Sequence, residues 1–194
     1  MNVVLVVIDT LRRDHVGCYG NDWISTPTLD SLAADSARFT NVYPEALPTL
    51  QVRQSIYTGN RLFPFNDHAS TKGDFVRWPG WHPVAEPQVT LAEIMAHAGY
   101  RTGVVTDTYH QFKPSMNYHR GFHQFNWIRG QEGDAHGSST VMANADLSEI
   151  IHPGFIGTPR EWSLRRYLAN TRDHHYEEDY FTPRVFRGAM EFVE

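Results

Sequence analysis

The chain opens on an unbroken apolar run, Val3-Val4-Leu5-Val6-Val7-Ile8, stopped by Asp9 and Thr10. A run of this kind, mostly β-branched, suits a strand covered on both faces and therefore the parallel sheet of an α/β fold. In open α/β sheets ligands lie beyond the carboxyl ends of the strands, which places Asp9 over a site rather than in the core. Helical spacing begins at Ser25-Thr26-Pro27, where a cap and a first-turn proline precede Leu29, Leu32 and Ala33, and it predicts a helix near 27–36. A strand is expected around 38–43. After Pro48 the pattern predicts a helix from Leu50 to Thr58, which Gly59 closes in the left-handed conformation, so that Thr49 lies at its N-terminus.

From Leu62 to Gln88 prolines at 64, 79, 83 and 87, with Trp78 and Trp81, interrupt every period, and the stretch 62–88 reads as a long rim loop. Thr90-Leu91-Ala92-Glu93 has the form of a capping box, Leu91, Ile94, Met95 and Ala98 form a stripe, and Gly99 can stop it, which predicts a helix over 91–98. Tyr100 to Val105 reads as a second inner strand that runs into Thr106-Asp107-Thr108, much as the first runs into Asp9-Thr10. Over 108–157 periodicity gives way to aromatic, His, Gly and Asn residues, and a second long loop or insertion around the site is expected. Helical spacing returns from Glu177 to Val193 through Phe181, Val185, Phe186, Met190 and Val193, with no C-cap before Glu194. The expected architecture is one α/β domain over 1–194, with a largely parallel or mixed sheet between helices.

Composition narrows the partners. With 41% hydrophobic and 20% charged residues the chain has the balance of a globular protein, and disorder is excluded for its bulk. Its 17 basic and 22 acidic residues give a net charge of −5 with no basic tract, which argues against nucleic acid. Cys18 is the only cysteine, so no intrachain disulfide forms, and a reducing, cytoplasmic setting is expected. Asp9 cuts the opening apolar run far short of a membrane span, so no membrane partner is expected.

An acid at a strand end, a hydroxyl at a helix N-terminus and an arginine one turn later are parts suited to a tetrahedral oxyanion. Asp9 and Thr49 would share a divalent cation (Ca²⁺, Mn²⁺, Mg²⁺ or Zn²⁺) that prepares the hydroxyl for attack. Arg53, at i+4 from Thr49, lies on the same helix face and can take two oxygens of a phosphate or sulfate. The same Thr and Arg spacing also arises in ordinary helices. His110 follows the second strand-end acid and is a candidate acid or substrate contact. His119 and His123 have i,i+4 spacing without the intervening Glu of helical zinc sites, and the remaining histidines read as structural or rim residues. Arg12 and Arg13 read as solvated, Trp78 and Trp81 as packed under their own loop, and Cys18 as a small buried hydrophobe.

The order of these parts adds to the reading. The segment from Asn2 through Asp9-Thr10-Leu11-Arg12-Arg13-Asp14-His15-Val16-Gly17-Cys18-Tyr19-Gly20, then Thr26-Pro27-Thr28-Leu29-Asp30, Phe39 to Tyr43, Thr49 to Gly59, and Thr90 to Thr102, resembles the N-terminal half of sulfatases of the alkaline phosphatase superfamily. The resemblance covers roughly residues 2–125. It implies an α/β metal-dependent hydrolase whose nucleophile opens a Cys/Ser-x-Pro-x-Arg motif. That position falls on Thr49 and the motif arginine on Arg53, while Gln51 stands in place of the proline. Family sulfatases oxidise Cys or Ser to formylglycine, an aldehyde, whereas threonine would give at best a ketone. Thr49 instead resembles the nucleophile of superfamily members that form a phospho-threonine intermediate, which implies a small phosphoester or phosphonate substrate ahead of a sulfate ester.

Further departures from the family pattern bear on activity. Thr10 follows Asp9 where many members have Asp-Asp, and Asp107-Thr108-Tyr109-His110 replaces a Lys-x-His pair. The family draws its remaining metal ligands from a C-terminal region with no counterpart after residue 125. Asp134-Ala135-His136 is the nearest acid and histidine pairing, and the role is not carried over to it. These departures keep a second expectation open: a non-catalytic fragment or pseudoenzyme with a binding or assembly role, seeking the missing C-terminal half or another copy of itself.

Overall fold

The computed structural model describes residues 1–65, 78–112 and 116–194. Helix α1, Pro27–Ala34, carries proline in its first turn, where the absent N–H costs no helical bond. It is tied to the 3-10 turn Gly17–Tyr19, which follows another at Arg13–His15. The Gly17 N–H donates to Thr26 Oγ1 at 2.8 Å and the Cys18 N–H to Asp30 Oδ1 at 2.6 Å. A Cβ on Gly17 would stand 2.5 Å from Asp30 Oδ2, so glycine is what lets this turn reach the carboxylate. Helix α2, Thr49–Thr58, ends at Gly59 with φ 68°. Helix α3, Leu91–His97, begins with the expected capping box, in which Thr90 Oγ1 accepts the Glu93 N–H and Glu93 Oε2 accepts the Thr90 N–H.

Strand β1, Gly103–Thr106, pairs in parallel with β2, Gln124–Trp127, with Gly103 opposite Gln124 and Thr106 opposite Trp127. Between them in sequence lies the single-turn helix α4, Tyr109–Phe112. After β2 come α5, Thr140–Ala143, then α6, Pro159–Asn170, and α7, Phe181–Val193. Alternate strand residues face opposite sides. On one side Gly103 and Val105 face α7, where a Cβ on Gly103 would meet the Phe192 ring at 2.6 Å and one on Gly188 would meet Val105 at 3.1 Å. On the other side Phe112 of α4 stacks on Phe125 at 5.0 Å and tilts against Trp127 at 5.9 Å. The parallel sheet thus lies between helices, as expected for an α/β fold. A separate core of Leu50, Trp81, Val84, Met116 and Tyr118 seats α2, and the Tyr118 hydroxyl donates to the Leu50 carbonyl at 3.1 Å.

Several expectations change. Residues 3–8 form no strand: all are exposed, from 42% at Val7 to 72% at Val4. An inner strand needs neighbours to take its N–H and C=O groups, and among the described residues β1 and β2 pair only with each other. The expected strand at 38–43 is likewise irregular and exposed. The second strand starts at Gly103 rather than Tyr100, and 108–157, read as loop, carries α4, β2 and α5. Residues 66–77 and 113–115 of the two expected loops lie outside the described residues. The last helix starts at Phe181, after a 3-10 turn at Glu177–Asp179, and it buries Phe181 while Phe186, Met190 and Val193 stay exposed. No helix of the described residues is long and apolar enough to cross a membrane.

Candidate active site

Thr49 is the first residue of α2, half-buried, at the end of the helix where free N–H groups point outward. Arg53, one turn on, is only 6% exposed. Its Nη2 lies 3.7 Å from Asp9 Oδ2, an ion-pair distance but longer than a hydrogen bond, and its buried Nε has no hydrogen-bond partner among the described residues. The fold therefore brings Asp9 to Arg53 although residues 3–8 form no strand. Thr10 beside it has φ 58°, a left-handed conformation that a β-branched residue rarely adopts.

Asp107, at the end of β1, is the second acid of the group. Burial pushes its carboxyl above the ordinary range, Glu132 and Asp9 add to that rise, and Arg53 opposes it. His110, in α4, has a side chain 7% exposed, and its Nε2 lies 3.0 Å from Glu132 Oε2. The His110 hydrogen bond lowers the Glu132 carboxyl from its ordinary value against the opposing effect of burial. The Trp81 ring meets His110 edge-on at 4.9 Å. Glu132 could not be read from the sequence: it lies in an aperiodic stretch, and its φ of 51° marks a turn that no motif announces.

Other expectations resolve into packing. Gln51 is buried and its Nε2 donates to the Pro79 carbonyl at 2.8 Å, so the residue in the motif's proline place pins the rim loop to α2. Trp81 is buried in the core, while Trp78 is 58% exposed and meets Trp81 edge-on at 5.9 Å. Asp134 takes Arg129 Nε at 2.7 Å, Arg129 Nη2 at 2.8 Å and the Gly130 N–H at 2.8 Å, which leaves it no role toward His136. Cys18 is half-buried rather than buried.

A resident metal does not fit the described residues by themselves. No group of three or more His, Cys, Asp or Glu among them is placed to hold an ion. Asp9 and Thr49 would supply two oxygens where hard divalent cations take about six or more, and the Asp9 carboxylate already faces Arg53. What the arrangement offers by itself is a buried guanidinium with an unmet donor, a helix N-terminus and a hydroxyl on the same helix face. These are complementary to a tetrahedral anion.

The sulfatase family model matches residues 1–154. Human arylsulfatase A is 33% identical over 132 residues, covering 64% of this chain and 24% of its own. The N-acetylgalactosamine-6-O-sulfatase of Bacteroides thetaiotaomicron is 29% identical over 108 residues, covering 54% of this chain and 19% of its own. Human iduronate 2-sulfatase is 25% identical over 170 residues, covering 77% of this chain and 28% of its own. The chain thus spans less than a third of the length of these curated relatives. No solved structure matches it.

Proposed function

Because the chain belongs to the sulfatase family, we propose that it supplies the anion-binding and nucleophile-bearing part of a hydrolase of small anionic esters. The observation that carries this reading is Arg53: a nearly buried cation, one turn from the Thr49 hydroxyl, whose Nε has no hydrogen-bond partner among the described residues and whose ion-pair contact with Asp9 stands off at 3.7 Å. A buried charge so poorly compensated by carboxylates favours a bound anion. Arg53 and the free N–H groups at the start of α2 hold the oxygens of the ester and stabilise the charge that develops on them. Thr49 Oγ1 bonds to the central atom as its hydroxyl proton is taken up by a base, the bond from that atom to the ester oxygen breaks, and the departing oxygen takes a proton in turn; His110 serves in that proton exchange or as a substrate contact, and water then cleaves the bond to Thr49 and restores its hydroxyl.

The printed names of the relatives point to sulfate esters, and the nucleophile points elsewhere. A threonine hydroxyl cannot become an aldehyde, so direct attack on phosphorus, with a phospho-threonine intermediate, favours a phosphoester or phosphonate. Matched phosphate, phosphonate and sulfate esters, assayed with and without added divalent metals, separate the two. Thr49→Ala is expected to abolish turnover while the circular dichroism spectrum is unchanged; undiminished hydrolysis by this variant would remove the reading. The buried Gln51 in the motif's proline place and the incomplete metal ligand set favour a second reading, a non-catalytic binding role, which predicts that the parent turns over none of the esters.

A further inference from the structure

Glu132 sits in a turn that the rest of the fold holds firmly. Asp134 fastens the turn by accepting from Arg129 and from the Gly130 N–H. From the other side Asn170 of α6 donates through Nδ2 to the Gly130 carbonyl at 2.8 Å and to the Asp134 carbonyl at 2.9 Å. Between these two clamps Glu132 takes φ 51°, a conformation that costs free energy for a residue with a Cβ and persists only where surrounding contacts impose it. The outcome of that conformation is a carboxylate oxygen 3.0 Å from His110 Nε2.

An ionised carboxylate has only acceptors, so the proton in this contact belongs to Nε2. In a neutral imidazole the other nitrogen then carries a bare lone pair. His110 Nδ1 is buried and has no hydrogen-bond partner among the described residues. An unpaired buried acceptor is unfavourable, and Nδ1 is therefore the ring nitrogen still open to a partner. Tyr109, with its ring centroid 4.0 Å from that of His110, and Trp81 pack the imidazole on two sides and restrict its rotation.

We infer that Glu132 is a positioning residue: it holds His110 in the Nε2–H tautomer and leaves Nδ1 as the nitrogen available for proton exchange. The inference rests on the hydrolase reading for what Nδ1 does, and on geometry alone for how it is set. With Nε2 taken up by Glu132, proton exchange with a substrate oxygen or a hydroxyl passes through Nδ1.

The test is the Glu132→Gly variant of the full chain. Glycine accepts a φ of 51° without strain, so the turn keeps its shape while the carboxylate is removed. Nitrogen-15 histidine spectra, recorded where free imidazole is neutral, should show His110 protonated at Nε2 and bare at Nδ1 in the parent, and exchanging between tautomers in the variant. On an ester that the parent hydrolyses, kcat should fall about 10- to 100-fold with KM held, by analogy with the loss of a partner that orients a metal-bound histidine. A parent protonated at Nδ1, or a variant that keeps one Nε2–H tautomer, overturns the inference. If the tautomer changes as expected but the parent hydrolyses no ester, the hydrolase reading fails and the positioning of His110 by Glu132 stands.

Discussion

Asp107 shows how one side chain near the site reports on the whole fold. Burial is the main cause of its raised pKa, so the folded chain holds that proton more tightly than the unfolded chain does. Its contribution to stability is therefore complete below the ordinary value of 3.8 and is lost as pH rises through the raised folded value. Asparagine cannot ionise. Asp107→Asn is expected to match the parent in urea melts at about pH 3 and to exceed it at about pH 7, where the parent carries a half-buried charge. Equal midpoints at both pH values would mean that Arg53 fully compensates the carboxylate.

At the level of elements, α3 is held at its start from two directions. The capping box satisfies free N–H groups of its first turn, and Arg120 donates to the Glu93 carboxylate at 2.9 Å and to the Gln88 carbonyl at 3.0 Å. Gly121, with φ 81°, brings the following turn so close that a Cβ there would stand 2.3 Å from the Glu93 backbone nitrogen. Removing the cap by Thr90→Ala should cost about 1 kcal/mol. Gly121→Ala should cost more, because it combines a left-handed backbone with a backbone clash that no side-chain rotation relieves. Chemical denaturation of the two variants checks the order, and a smaller loss for Gly121→Ala would contradict it.

The molecule as a whole leaves much apolar surface in water. Its accessible area is 13557 Å², whereas a folded monomer of 22.3 kDa is expected to expose about 9,400 Å². Val3 to Ile8, Phe39, Val42, Phe186, Met190 and Val193 all contribute to the excess. Exposed apolar surface of this extent favours association. The 194-residue chain is accordingly expected to self-associate in light scattering and to bind divalent metal weakly in calorimetry. A monodisperse monomer with micromolar Mn²⁺ or Ca²⁺ affinity would contradict both expectations.

What the sequence determined by itself is whatever depends on neighbours within a turn or two. The Thr90 and Glu93 capping box, the stops at Gly59 and Gly99, the first-turn proline of α1 and the Thr49 to Arg53 spacing all follow from local backbone sterics and hydrogen bonding, and each forms where the sequence places it. The family motifs were legible for the same reason, since each is a short string. Tertiary structure decided which distant groups meet. His110 and Glu132 are 22 positions apart, joined by a turn whose shape depends on Arg129, Asp134 and Asn170. Arg53 meets Asp9 across the chain, and Gln51 meets Pro79. The apolar run 3–8 states a demand for burial, but a strand exists only where another strand takes its N–H and C=O groups, and such pairing is a property of the assembled sheet.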